Sequence, residues 1–273
     1  MPVKETREVL LRVPASCRPK GSRDRAKTEL TESIEEYTEG IYRLQEELGE
    51  VSTGDIAKYM SVAPASVTTM LKRMAELGLV EHTPYQGVRL TGKGETLSIS
   101  LLRKHRLLER MLVDFLELPW DDVHDLACKL EHYISEDVTD RIAKALNYPR
   151  TCPHGNPVDA TENDGSFRLT HATVGDRLTV VKVTDERREF LAYLLEIGLV
   201  PEASIYYKSR TPFGDVMTLE IGSDGETVAI GRDVANSVWV CPELEELAPE
   251  QLHTESEAET TRAPDSEQAR SKA

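Results

Sequence analysis

Six side chains able to bind a metal ion lie between His105 and His132 at helical spacing, and no other feature constrains the fold of this chain as much. His105 and Glu109 are four apart; His124, Cys128, Glu131 and His132 follow at steps of four, three and one. Residues separated by three, four, seven or eight share one face of an α-helix. The segments HRLLERMLVDFLEL (105–118) and HDLACKLEHYISEDVTDRIAKAL (124–146) carry apolar residues at that period, with a short break at Pro119 and Trp120. Two adjacent helices would therefore bring imidazole, carboxylate and thiolate groups together. Imidazole and thiolate suit a borderline divalent transition ion, and carboxylates widen the choice towards iron and manganese. One such residue on a charged helix is ordinarily solvated, or in the case of Cys a small core hydrophobe. Six in one register reverse that reading.

The chain has 273 residues, room for two or three domains with a proper core. No apolar run approaches the ~18 residues of a membrane span, so no membrane role is expected. The N-terminal stretch lacks the apolar region of a secretory signal, which points to the cytoplasm. The four cysteines, at 17, 128, 152 and 241, are too scattered for a disulfide scaffold. Net charge is −15, yet residues 1–27 carry eight Lys/Arg against three Asp/Glu, and residues 243–273 carry nine Asp/Glu against three Lys/Arg. A basic arm (1–28) and an acidic tail (243–273), both expected to be disordered, thus flank a body that is itself acidic. General acidity of that kind is a trait of proteins from a high-salt cytoplasm.

Upstream of the ligand helices, residues 32–48 form an amphipathic helix with Ile34, Tyr37, Ile41, Tyr42 and Leu44 in phase. Ser52 or Thr53 caps a second helix over 53–62, with Asp55 in its first turn. Pro64 opens a third helix whose inward stripe is Val67, Met70, Leu71, Met74 and Leu77, and Gly78 ends it. Ala65, Ser66, Thr68, Thr69, Lys72 and Arg73 are left to face outward. Two short alternating runs around Pro84-Tyr85-Gln86-Gly87 then read as a β-hairpin carrying Arg89. Three helices and a hairpin make a winged helix-turn-helix, whose third helix enters the major groove. Between 61 and 93 the charge is +2, four Lys/Arg against two Glu, the local inversion that double-stranded DNA requires. The same module also serves protein contacts in other settings.

After the ligand helices a Pro/Gly/Asn-rich stretch holds Cys152 and His154, a C-x-H pair of the kind that is usually incidental. Beyond residue 168, five short strands, with a helical piece between the first two, suggest a small barrel of SH3 type. The fold class is thus mainly α with β: a winged helix (29–96), a helical metal-binding and dimerisation domain (97–155), a linker (156–167) and an SH3-like barrel (168–242).

The strings KHRLLER, VHDLACKLEH and CPHGNP, with the order of modules over about residues 31–240, resemble the diphtheria-toxin-repressor family of metal-dependent transcriptional regulators, in both its iron-responsive and its manganese-responsive branches. The resemblance implies a FeoA-like barrel at the C-terminus, a homodimer, and two metal sites per subunit that bind Fe2+ or Mn2+. It implies an ancillary site of His105, Glu109 and His124, with Asp185 or Glu186 of the barrel as candidates to complete it. It implies a primary site of Cys128, Glu131 and His132 with a ligand from the first helix, where Glu36 stands at the matching position and Glu39 one turn later. Cys128 points to iron and the first-helix carboxylates to a harder ion; the balance leans to iron with manganese next. The implied output is repression of metal-uptake genes through a palindromic operator. Two other readings stay open: a winged-helix regulator whose metal is only structural, and a metallohydrolase, for which the usual H-E-x-x-H arrangement is missing.

Overall fold

A computed structural model describes residues 30–83, 87–161, 164–213, 215–222 and 225–243. The basic arm, nearly all of the acidic tail and the hairpin turn at 84–86 lie outside the described residues. The chain divides after Asp164 into two compact units.

The N-terminal unit begins with α1 (Glu32–Leu48), whose first turn holds Glu32 and Glu35 against the positive end of the helix dipole. Ile34, Tyr37, Ile41 and Leu44 bury its inner face. In α2 (Thr53–Tyr59), Ser52 accepts from the Asp55 backbone N–H while the Asp55 carboxylate takes the Ser52 N–H, a reciprocal cap. This helix ends three residues before the apolar pattern does, because Ser61 turns left-handed at φ 54°. Pro64 occupies the first position of α3 (Pro64–Glu76), and Val67, Leu71 and Met74 are its fully buried stripe. Gly78, at φ 70°, turns the chain into the antiparallel hairpin β1 (Val80–Thr83) and β2 (Gly87–Leu90).

One helix, α4 (Gly92–Asp114), runs without interruption from the winged module into the ligand region, so the border expected at 96/97 falls inside a helix. Its start is pressed against the turn after α3: a Cβ on Gly94 would stand 2.2 Å from the Leu79 carbonyl oxygen. The buried Ser98 hydroxyl donates to the Thr38 carbonyl (3.0 Å), tying α4 to α1.

The second ligand segment is not the single helix that its periodicity suggests. It splits into α5 (His124–Leu130), a 3-10 turn (Glu131–Tyr133) and α6 (Glu136–Ala145). Ser135, followed by Glu136 and Asp137, caps a fresh helix start, with Ile134 extended before it. Ile134 and Val138 keep the apolar period alive across the break, which hides it from a pattern search. Glu131 and His132 thereby leave the face of α5. Farther on, Arg106 donates to the Pro157 carbonyl (2.6 Å) and Arg110 to that of Thr151 (3.0 Å), strapping residues 151–157 to α4.

The C-terminal unit is a six-stranded antiparallel sheet in the order β3-β8-β4-β5-β6-β7. Its strands are β3 (Phe167–Arg168), β4 (Arg177–Val183), β5 (Ser204–Arg210), β6 (Met217–Ile221), β7 (Glu226–Ile230) and β8 (Val238–Pro242). Helix α7 (Arg188–Glu196) lies between β4 and β5, and α8 (Arg232–Ser237) precedes β8. The five expected strands are present; β3 and α8 are additions too short to carry a period. Among the described residues no helix is long and apolar enough to cross a membrane.

Candidate metal centre

Four of the other five spaced side chains, Glu109, His124, Cys128 and Glu131, meet around His105. Its Nδ1 stands 2.8 Å from Glu131 Oε2, and its Nε2 stands 2.9 Å from Glu109 Oε1. With both acids ionised they only accept, so both ring nitrogens donate and the imidazole carries the charge. Burial opposes that charge, but Glu109 beside it, with hydrogen bonds to Cys128, Glu109 and Glu131, holds His105 well above the usual imidazole range. His124 Nδ1 lies 3.1 Å from His105 Nε2 and 3.4 Å from Glu109 Oε1. Cys128 Sγ lies 3.6 Å from His124 Nε2 and 3.9 Å from His105 Nδ1. Burial pushes the Cys128 thiol up, yet these two imidazoles bring it below its ordinary value, towards the thiolate that binds metal.

Glu109 is the hub. It is fully buried, and its charge is kept by His105 and His154 against the penalty of burial, so its carboxyl sits well below the ordinary range. The strap brings His154 and Cys152 to its far side, both buried. His154 Nε2 donates to the Trp120 carbonyl (2.8 Å), which leaves Nδ1 facing Glu109 Oε1 at 3.2 Å and Cys152 Sγ at 3.9 Å. Burial works against the charged form of His154, but Glu109 and Cys152 raise its pKa to about 11. The C-x-H pair is therefore one wall of the site. Its signal was the pair itself in CPHGNP; what spacing could not supply is the turn that lays it against α4.

This donor set fits a divalent cation. Glu109 Oε2 is buried and has no hydrogen-bond partner among the described residues, an arrangement that costs about 1–3 kcal/mol or more for a charged group. Ligand atoms of His105, His124 and Cys128 lie within 4.8 Å of one another, as do those of His105, Glu109 and His124, and those of Glu109, Cys152 and His154. Glu109 belongs to the last two groupings.

His132 stands apart from that hub. The 3-10 turn presents it to α1, where its ligand atom lies within 4.8 Å of those of Glu32 and Glu36. Its Nδ1 is 2.7 Å from Glu35 Oε2, and its Nε2 is 3.7 Å from Glu131 Oε1. Glu39 accepts from Arg43 (2.9 Å), and its negative charge, after burial, helps to raise the Glu131 carboxyl. Of the acidic candidates in the C-terminal unit, Asp185 accepts from Arg187 Nε (2.8 Å), and Glu186 is buried in the turn that leads into α7.

On the winged module, Ala65, Ser66, Thr68, Thr69, Lys72 and Arg73 are all exposed on α3, and Arg89 is exposed on β2, 3.6 Å from Glu50. Thr68 and Thr69 each donate their hydroxyl to the carbonyl four residues back (3.1 Å).

Comparison with known proteins matches this chain in three segments. Residues 29–88 match the family profile for the iron dependent repressor N-terminal DNA binding domain, 91–159 that for the iron dependent repressor metal binding and dimerisation domain, and 167–242 that for the FeoA domain. The iron-dependent repressor IdeR of Mycobacterium tuberculosis is 34% identical over 228 residues, covering 78% of this chain and 98% of that protein. The chain belongs to the iron-dependent repressor family. The diphtheria toxin repressor of Corynebacterium diphtheriae is 31% identical over 205 residues, covering 75% of this chain and 87% of its own. Among solved structures of this repressor fold, a manganese-dependent transcriptional repressor in complex with manganese superposes with TM-score 0.72 at 31% identity, covering 77% of this chain and all of that one. IdeR of T. acidophilum superposes with TM-score 0.65 at 26% identity, covering 79% and 99%.

Proposed function

We propose that this repressor binds a palindromic DNA operator as a homodimer in answer to Fe2+, with Mn2+ the second candidate, and silences metal-uptake genes when the ion is plentiful. The observation that carries the reading is the junction between His132 and α1. Glu32, Glu35 and Glu36 belong to the helix on which the winged module is built, whereas His132 belongs to the turn between the dimerisation helices. A bound divalent cation supplies positive charge that the two sides can share.

Without that charge, the clustered carboxylates of Glu32, Glu35, Glu36, Glu39 and Glu131 repel one another across the junction. The lowered Cys128 thiol and the imidazole of His132 supply the nitrogen and sulfur donors, and Glu36 the oxygen, of the primary set with Glu131. His105, Glu109 and His124 supply the ancillary set, and the Cys152–His154 wall supports a second grouping on the same Glu109. A docked α1 holds α3 in one orientation, and a dimer then spaces two such helices by about one DNA turn, ~34–36 Å. On α3 the hydroxyl protons of Thr68 and Thr69 are turned back to the helix, so their methyl groups suit contact with thymine methyls. Lys72, Arg73 and Arg89 suit phosphate.

Preference for Fe2+ is supported by Cys128, a softer donor than a carboxylate, and by the likeness to iron-dependent relatives; the glutamates of α1 favour Mn2+. The test is fluorescence anisotropy of a duplex selected from random sequence by the metal-loaded chain. It is run anaerobically against free Fe2+, Mn2+, Zn2+ and Co2+ and reversed with chelator. DNA binding should appear with metal and vanish on chelation, with Fe2+ acting at a lower free concentration than Mn2+. Equal affinity of the metal-free and metal-loaded chain would leave only a structural metal.

A further inference from the structure

The carboxylate nearest His132 belongs to neither first-helix glutamate assigned as a ligand. Glu35 Oε2 is 2.7 Å from Nδ1, and a carboxylate can only accept, so Nδ1 carries the proton. In the neutral ring Nε2 is then the lone pair, and it is Nε2 that stands 3.7 Å from Glu131 Oε1, on the side of an assigned ligand. The pair is shielded from water, with side-chain exposures of 5% for His132 and 20% for Glu35. Glu35 is anchored by position as well: it sits in the first turn of α1 beside the fully buried Ile34. Its neighbour Glu36 points about 100° away around the helix axis and is exposed. Glu36 and Glu32 each bring a ligand atom within 4.8 Å of one on His132, so α1 places two further carboxylates beside the ring.

We propose that Glu35 is a positioning residue for the primary metal site: it accepts the Nδ1–H of His132 from across the domain junction, fixing the tautomer and ring angle that turn Nε2 towards Glu131 and the metal. The inference rests on the reading of His132 as a ligand. A carboxylate behind a ligating histidine sets the ring's orientation and basicity, and loss of such a partner typically costs about 10–100-fold in metal affinity. The sequence hides this role because residues 32, 35, 36 and 39 are all glutamate, and only the break after α5 shows which of them His132 reaches.

The experiment uses the full chain with Co2+ as the probe metal, in wild type, Glu35→Ala, Glu35→Gln and His132→Ala, the last serving to assign the His132 ring signals. Proton–nitrogen correlation spectra of the metal-free protein should show His132 protonated at Nδ1 in wild type and in Glu35→Gln, whose side-chain carbonyl still accepts. In Glu35→Ala the proton should redistribute to Nε2. The paramagnetic shift of the His132 ring on Co2+ titration should give an affinity ~10–100-fold weaker in Glu35→Ala and close to wild type in Glu35→Gln. At saturation all three should reach the same shifted pattern. A wild-type ring protonated at Nε2, or Glu35→Ala binding Co2+ as tightly as wild type, overturns the proposal. A different saturated pattern in Glu35→Ala also overturns it, by making Glu35 itself a ligand. If the wild-type His132 ring does not shift with Co2+ at all, the ligand reading fails and the proposal with it, an outcome distinct from a failure confined to the Glu35 variants.

Discussion

Glu109 and Glu35 both hold histidines, one fully buried between α4, α5 and the strap and the other where α1 meets the turn after α5. Around Glu109 the partners are His105 from the same helix, His124 from α5 and His154 from the strap, all within the dimerisation region. Each imidazole there is set against a carboxylate, so the metal-free chain already balances much of its buried charge. Around Glu35 and His132 the partners come from two domains, and Glu32 and Glu36 add exposed negative charge beside the same imidazole. The difference separates two tasks that the residue types alone do not distinguish. The cluster around Glu109 is internally compensated and lies within one domain. In the function proposed above, the over-acidic junction is the place where an added cation changes how two domains dock.

The largest expected effect sharpens that contrast. Glu109→Gln removes the counter-charge from a buried group of imidazoles, and breaking a buried ionic network of this kind costs about 3–5 kcal/mol. Thermal unfolding of the metal-free chain should shift down strongly, whereas Glu36→Ala, at an exposed position, should leave it nearly unmoved. Equal losses from the two changes would erase the distinction between the sites.

A smaller effect should appear with pH. The folded-state pKa of His154, raised to about 11, lies above the ordinary 6.5 of the unfolded chain. A raised value means that the folded state binds the proton more tightly, so its contribution is complete below pH 6.5 and is lost as pH climbs towards about 11. Denaturant unfolding of the metal-free chain should therefore show stability falling through the alkaline range, and His154→Gln should flatten that slope. A slope that survives the substitution would move the titration to another residue.

Much of the fold is legible in the sequence because local chemistry and tertiary packing agree there. Ser52 and Asp55 cap α2, Pro64 opens α3, Gly78 closes it, and the apolar stripes of α1 and α3 are the buried ones. The pairs His105/Glu109 and His124/Cys128 are legible for the same reason, since a four-residue step puts both members on one face of their helix. Where the reading stops, the cause is a contact between segments distant in sequence. Ile134 continues the apolar period through a break that Ser135 makes, so the turn carrying His132 looks helical. Cys152 and His154 are an unremarkable pair until Arg106 and Arg110 strap them to α4. Glu32, Glu35, Glu36 and Glu39 are alike until Glu35 meets His132.

The smallest effect is expected on α3, the helix proposed to meet DNA. Lys72→Ala removes one exposed positive charge from α3 and no base contact, so it should weaken binding to all duplexes alike and lower the salt dependence of log affinity by about one unit. A change in sequence preference instead would place Lys72 against a base edge.

The most direct test of the account is the ratio of DNA affinities with and without saturating metal, measured for wild type and His132→Ala on the same selected duplex at fixed salt. The account predicts that metal tightens wild-type binding by roughly 5–150-fold, the usual range of coupling between two sites, and that His132→Ala stays at the metal-free affinity while remaining folded. A His132→Ala chain that still gains the full factor from metal would contradict it, and would transfer the coupling from the α1 junction to the Glu109 cluster.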